Sequence, residues 1–210
     1  VMRALKARGD IKGWFEEKFP AKLAHGATPV FDIERAAVSL FGLPAFGVHL
    51  NGFVVREDGV HMWVAERAHG KPIEPGKYDQ LVAGGQPADL SVAENLAKEC
   101  EEEAEIPPAL AAQARPVSAI TYRMERPEGL RCDVLYVYDL MLDPEFVPVN
   151  ADGEVHAFHL WPIDEVAAIV RDTDDFKFNC SLVVIDFLVR HGYLTPEHPE
   201  YVACVRGLRA

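Results

Sequence analysis

Glu94, Glu99, Glu101, Glu102, Glu103 and Glu105 fall within one short segment of this 210-residue chain, VAENLAKECEEEAEI, and their spacing divides them into two sets. Ser91 stands three residues before Glu94, a capping pair whose side chains satisfy free backbone N–H groups, so a helix is predicted to begin at Val92. On a helical projection Val92, Ala93, Leu96, Ala97, Cys100 and Ala104 share one arc, the stripe a helix buries. Glu99, Glu102 and Glu103, related as i, i+3 and i+4, lie beside that stripe, whereas Glu94, Glu101 and Glu105 point toward solvent. Like charges at these spacings repel by roughly 0.2–0.5 kcal/mol per pair, and more where water is partly excluded. A divalent cation would offset that cost. Oxygen donors with no nearby His or Cys favour Mg²⁺ or Mn²⁺ over zinc, and such ions commonly bridge carboxylates to phosphates. Runs such as KECEEEAE also occur as plain solvated helix faces, so the glutamates alone leave both readings open.

Positioning these groups requires a strand, a glycine turn and a helix in succession. Gln80 to Ala83 reads as a short strand, Gly84 and Gly85 follow, and the helix must stop before Pro107 and Pro108. Upstream, FGVHLNGFVV, the turn residues Arg56 to Gly59, and VHMWVAE read as a hairpin. Downstream come predicted strands over 117–124, 132–141 and 154–161, then helices over 163–170 and 180–190. Residues 2–19, with Leu5, Ile11, Trp14, Phe15 and Phe19, read as an amphipathic helix or turn and helix. The order is mixed α/β, with residues 1–43 as an N-terminal appendage and 44–210 as the principal domain.

Other side chains could serve a phosphate-bearing ligand. Arg67, Lys71 and Lys77 flank the Gly- and Pro-containing loop before the glycine turn, where they could neutralise anionic oxygens. Glu154, in Asp152-Gly153-Glu154, sits where a loop enters a strand and could act as base or further metal ligand. His156 and His159 are three apart in a predicted strand, so they face opposite sides and no zinc site is expected from them. Trp14, Trp63, Trp161, Tyr122, Tyr136 and Tyr138 are the rings from which one could stack on a heteroaromatic group. No G-x-S-x-G, P-loop or G-x-G-x-x-G is present, which leaves serine-hydrolase, kinase-like and dinucleotide-binding readings without an anchor. The net charge of -12 argues against nucleic acid and anionic membranes as partners. Four scattered cysteines, Cys100, Cys132, Cys180 and Cys204, fit a reducing compartment, and a soluble, cytoplasmic protein is expected. The chain opens at Val1 inside a helical pattern, as a fragment of a longer product would.

Residues 84–106 resemble the Nudix box, G-x5-E-x7-R-E-U-x-E-E-x-G-U with U a bulky apolar residue. Counting from Gly84, the positions R, E, U, E, E and final U fall on Lys98, Glu99, Cys100, Glu102, Glu103 and Ile106. The resemblance implies an α/β/α sandwich with a central mixed sheet and the box helix packed against it. It implies metal binding by Glu99, Glu102 and Glu103, catalysis by these with Glu154, and substrate contacts from Arg67, Lys71, Lys77, Gly84, Gly85 and Lys98. Leu90 replaces the first Glu of the pattern, Lys98 the Arg, and Glu105 the Gly. The last is strained if that position takes left-handed backbone. A longer likeness, through IERAAVSLFGLPAFGVHLNGFV, KPIEPGKYDQLVAGGQPADLSVAENLAKECEEEAEIP and FKFNCSLVVIDFLVRHGYLTPE, is to the Nudix subfamily related to thiamine pyrophosphokinase. That subfamily implies hydrolysis of thiamine diphosphate, or its oxo and oxy analogues, to the monophosphate, with Mg²⁺ or Mn²⁺ as cofactor. A homodimer is compatible with it. The rival readings are a Nudix hydrolase of another linked diphosphate, such as ADP-ribose, and a non-catalytic module that binds a phosphorylated ligand.

Overall fold

The structure, a computed structural model, describes residues 1–71 and 73–209, so Pro72 of the cation-bearing loop and Ala210 lie outside the description. Seven strands form one mixed sheet: β3 (Pro44–Arg56), β4 (Gly59–Arg67), β5 (Tyr78–Gln80), β6 (Val82–Gly85), β7 (Arg115–Arg126), β8 (Gly129–Met141) and β9 (Val155–Pro162). The path runs β5-β4-β3-β8-β7, with β6 paired to β3 and β9 to β4. Only β3 and β8 run parallel among the described pairings, from Pro44↔Cys132 to Phe53↔Met141. β3 is therefore flanked on both edges and buried without interruption from Phe46 to Gly52, the pattern of a central strand covered on both faces.

Helix α2 (Val92–Ala104) covers one face, its Leu96, Cys100 and Ala104 packed with Val48, Leu50, Val54, Leu81 and Val82. On the other face, α4 (Ile163–Asp172) and α5 (Phe178–Arg190) bury Ile163, Val166, Val184 and Phe187 against Met62 and Val64. The result is the three-layer α/β/α arrangement with the box helix against the sheet. Two short helices, α3 (Pro108–Ala111) and α6 (Tyr201–Gly207), lack the length for a sequence periodicity and were not expected. No helix among the described residues is long and apolar enough to cross a membrane.

The N-terminal segment departs from the expected helix over 2–19. Helix α1 (Met2–Arg8) ends at Gly9 in left-handed backbone, and Gly13 and Glu16 also have positive φ. Phe19 instead lies in β1 (Lys18–Ala21), which pairs with β2 (Phe31–Glu34) in a separate two-stranded sheet. Ile11, Phe19, Ile33, Ala37 and Val38 close a small core with Leu43 and Ala45, so burial in a tertiary cluster, rather than helical period, explains the apolar spacing.

The strand expected over 80–83 is divided. Leu81, fully buried, breaks it into β5, which pairs with β4, and β6, which pairs with β3. Leu81 occupies space beside Gly52, where an added Cβ would stand 2.1 Å from the Leu81 side chain. Gly84 and Gly85, expected as a turn, instead complete β6 and pair with Val48 and Gly47 of β3.

Candidate active site

Helix α2 begins as its capping residues dictate: the Ser91 hydroxyl accepts from the Glu94 N–H at 3.2 Å, and the Glu94 carboxylate accepts from the Ser91 N–H at 2.9 Å. It ends at Glu105, with φ 49 and ψ 34, and the Ile106 N–H closes the turn onto the Cys100 carbonyl at 2.9 Å. The buried stripe is rotated from the predicted one. Ala93 is exposed, while Asn95 is fully buried and donates to the Gly85 carbonyl at 3.0 Å. Asn95, Glu99 and Glu103 thus form a ridge at successive i+4 steps that faces β6, because β6 offers backbone groups that polar side chains can bond.

This rotation gives the three glutamates different surroundings. Glu99 lies over Gly84, where a Cβ would come within 2.3 Å of its carboxyl carbon; only glycine leaves room for it. Glu103 accepts from the Ala83 N–H at 2.8 Å. Glu102 stands further out, paired with Lys98 at 2.5 Å, and Lys98 also reaches Glu99 at 3.4 Å. Burial pushes the Glu99 carboxyl above its ordinary range, opposed by Lys98. Burial pushes Glu103 well above that range, reinforced by Glu99, Asp79 and Glu154 and opposed by the Ala83 N–H. Lys98 thus compensates only part of the negative charge.

A cleft beside this ridge is lined by Ala65, Arg67, Asp79, Gln80, Glu103, Glu154 and Val155. Glu154, 51 positions after Glu103, arrives at the head of β9, where its carbonyl accepts from Ala68 at 2.9 Å and its carboxylate pairs with Lys71. Arg67, in the cleft wall, is engaged by the protein itself: it donates to Asp79 at 2.8 Å and to the Ile73 and Glu74 carbonyls, bracing the cation-bearing loop. Lys77 pairs with Glu74 at 3.6 Å. Gly85 lies against Phe19, whose ring would stand 2.5 Å from an added Cβ, so the N-terminal segment touches the end of β6.

Several groups at the cleft wall and behind it carry no mark in their sequence spacing. Asp79 contacts Arg67, Lys177 at 3.3 Å and the Cys180 thiol at 2.7 Å. Burial opposes its ionisation, but Lys177 and Arg67 outweigh burial and hold its carboxyl well below the usual range. His49, buried next to Gln80 at 2.8 Å, is lowered to about 4 by burial and by Lys177. Lys177 and Cys180 lie 98 and 101 positions from Asp79, so no local pattern marks the cluster. Arg190 and His191 clamp Asp139 at 2.6 and 2.9 Å, and Asn51 donates to the same carboxylate, which pins α5 to β8 and β3.

Among the described residues, the triads whose ligand atoms lie within 4.8 Å of one another are His49, Asp79 and Cys180, and Glu66, His69 and His156. The first is consumed by its own ion pairs and thiol bond. His156 and His159 do not share a group; the companions of His156 in the second triad come from β4 and the following loop and not from its own strand. Glu99, Glu102 and Glu103, with side chains bonded to Ala83 and Lys98, do not form such a triad. Glu99 and Glu103, both pushed up by burial, with Glu102 beside them on the helix, nonetheless are oxygen donors whose chemistry fits a hard divalent ion.

Residues 47–181 match the NUDIX domain family, and residues 1–45 match a family described as a domain of unknown function, DUF4743. The chain belongs to the Nudix family, whose members generally use divalent metal ions. It is 46% identical over 209 residues to Nudix hydrolase 24, chloroplastic, and 44% identical over 209 residues to Nudix hydrolase 20, chloroplastic, both from Arabidopsis thaliana. All of this chain is covered in both alignments, but only 57% and 56% of those proteins, so it spans a little over half their length. The fold resembles DR0079 from Deinococcus radiodurans, with TM-score 0.57, 19% identity and coverage of 80% of this chain and 97% of that one. It also resembles the NUDIX domain of Shewanella oneidensis NrtR complexed with ADP ribose, with TM-score 0.54, 12% identity and coverage of 71% and 88%.

Proposed function

We propose that this chain hydrolyses an organic diphosphate with the help of a divalent metal ion, Mg²⁺ or Mn²⁺, held by Glu99, Glu102 and Glu103, with Glu154 as the base. The observation that carries the reading is the meeting of Glu154 with Glu103 in one cleft, beside a Gly84 that gives up its side-chain space to Glu99. A bound divalent ion supplies positive charge against the diphosphate oxygens and acidifies water within its reach. The protein's own groups do the rest. Gly84 and Gly85 keep the strand end open, and Lys98 offsets part of the charge of Glu99 and Glu102 before the ion enters. Lys71, now paired with Glu154, is positioned to exchange that carboxylate for a phosphate oxygen, which frees Glu154 to take a proton from the attacking water. Arg67 holds the loop that carries Lys71, and Lys77 adds charge at its far end.

The substrate is read as thiamine diphosphate or an oxidised analogue, released as the monophosphate and phosphate. This finer reading is supported by the segments that resemble the thiamine-related subfamily. Tyr136, half-buried, stacked on Phe46 and hydrogen-bonded to His25, is the ring among the candidates best placed to offer an aromatic surface beside the N-terminal segment. A panel of thiamine diphosphate, its oxidised analogues, ADP-ribose and dinucleotides, assayed with and without Mg²⁺, tests the assignment: metal-dependent phosphate release is expected from the thiamine compounds. Preferential cleavage of ADP-ribose would move the substrate to a nucleoside diphosphate sugar, and binding without turnover would make the chain a ligand-binding module. Free thiols at all four cysteines fit a reducing compartment, read here as the cytosol. A plastid location, as in the names of the two Arabidopsis relatives, is the competing address. Homodimerisation is a separate reading, tested by sedimentation.

A further inference from the structure

At the mouth of the cation-bearing loop, β4 and β9 fall out of step. Glu66 pairs with Ala157 and Arg67 with Val155, so His156 is an extra, unpaired residue, a β-bulge. Bulges re-aim side chains, and this one sends His156 to His69, whose ring centroid lies 4.9 Å away. His69 Nε2 is 3.8 Å from one Glu66 oxygen, and the other Glu66 oxygen is held at 3.2 Å from His159 Nε2. Ligand atoms of Glu66, His69 and His156 all lie within 4.8 Å of one another. Room for the His69 ring is kept by Gly76, with φ +71, where a Cβ would stand 2.8 Å from His69 Nδ1. The bulge, the oriented carboxylate and the glycine are three separate local features that converge on one point.

We infer that Glu66, His69 and His156 form a second metal site, distinct from the glutamates of α2, that takes a borderline divalent ion of the Zn²⁺ or Co²⁺ type. Two imidazoles and one carboxylate are the donor set such ions prefer, whereas Mg²⁺ seeks oxygen ligands alone. His159 serves as the outer partner that fixes the carboxylate. Three protein donors at an exposed position leave a fourth place for water. Occupancy ties the loop bearing Lys71 to the strand headed by Glu154, alongside the ion pair those two already make. The inference does not depend on the hydrolase reading.

The test is titration of the metal-stripped full chain with Co²⁺ in the presence of excess Mg²⁺, which fills oxygen-only sites. One equivalent of Co²⁺ is expected to bind, with visible d–d absorption and no thiolate charge-transfer band, and Zn²⁺ should displace it. Paramagnetic broadening in proton NMR should be strongest for the imidazole resonances of His69 and His156, with His159, bonded to Glu66, next among the eight histidines, a readout that needs no variant. His69→Ala and His156→Ala should each weaken binding about tenfold or more, while Glu102→Gln leaves it intact. Both histidines are exposed, so their removal spares the core. Absence of Co²⁺ uptake under excess Mg²⁺, a thiolate band, broadening strongest at other histidines, or unchanged affinity in both histidine variants would overturn the inference.

Discussion

Glu99, Glu102 and Glu103 leave the same helix within five positions yet meet a glycine Cα, a lysine and a backbone N–H respectively. If these carboxylates share a divalent ion, Glu102→Gln and Glu103→Gln should each reduce metal-dependent phosphate release about 100-fold or more. The far-ultraviolet circular dichroism should stay unchanged, and full turnover in either variant would remove that residue from the site. Glu105 makes a different claim. Its φ of 49 places a β-carbon where glycine is favoured, at a cost of order 1–2 kcal/mol. Glu105→Gly should therefore stabilise the protein by about 1 kcal/mol, measured by urea denaturation, since the mobility of glycine in the unfolded chain offsets part of the gain. The i, i+3, i+4 spacing makes the glutamates legible from the sequence alone. Asp79, Lys177, Cys180 and His49 are not, because their association is made by strand pairing and α5 packing across about 100 positions.

The element that positions the chemistry is the β6, turn and α2 unit, and its parts are unevenly readable. The start of α2 follows from Ser91 and Glu94, a local exchange of hydrogen bonds. Its rotation does not, since the buried Asn95 is explained only by the Gly85 carbonyl it meets. The division of the preceding strand at Leu81 likewise depends on Gly52 in a neighbouring strand, a contact no window of sequence contains. Gly84 carries the testable consequence at this scale. Gly84→Ala puts a methyl group into the space of the Glu99 carboxylate, so turnover should fall by about 100-fold through misplacement of that ligand. Near-normal kcat/KM in this variant would show that Glu99 can move aside without loss.

For the whole molecule, the two layers of helix over one mixed sheet follow from the order of strand and helix patterns, whereas the small N-terminal sheet is hidden by apolar spacing that mimics a helix. Stability should depend on pH through the buried cluster behind the cleft. His49 has a folded pKa of about 4, below its unfolded value of about 6.5, so the unfolded chain binds more protons between these limits and stability falls as pH drops through them. The loss is on the order of 3 kcal/mol. Asp79, depressed in the folded state, adds a further loss as pH falls below about 4. Urea midpoints from pH 7 down to about 3 check this, and His49→Gln should flatten the upper part of that range. The central claim is metal-dependent hydrolysis by the glutamates that α2 sets beside β6, and its most direct measurement is phosphate release from thiamine diphosphate by wild type and Glu103→Gln, each with and without Mg²⁺. The account predicts release by wild type in Mg²⁺ alone of the four conditions. Release that persists without added metal, or in Glu103→Gln at the wild-type rate, would contradict it.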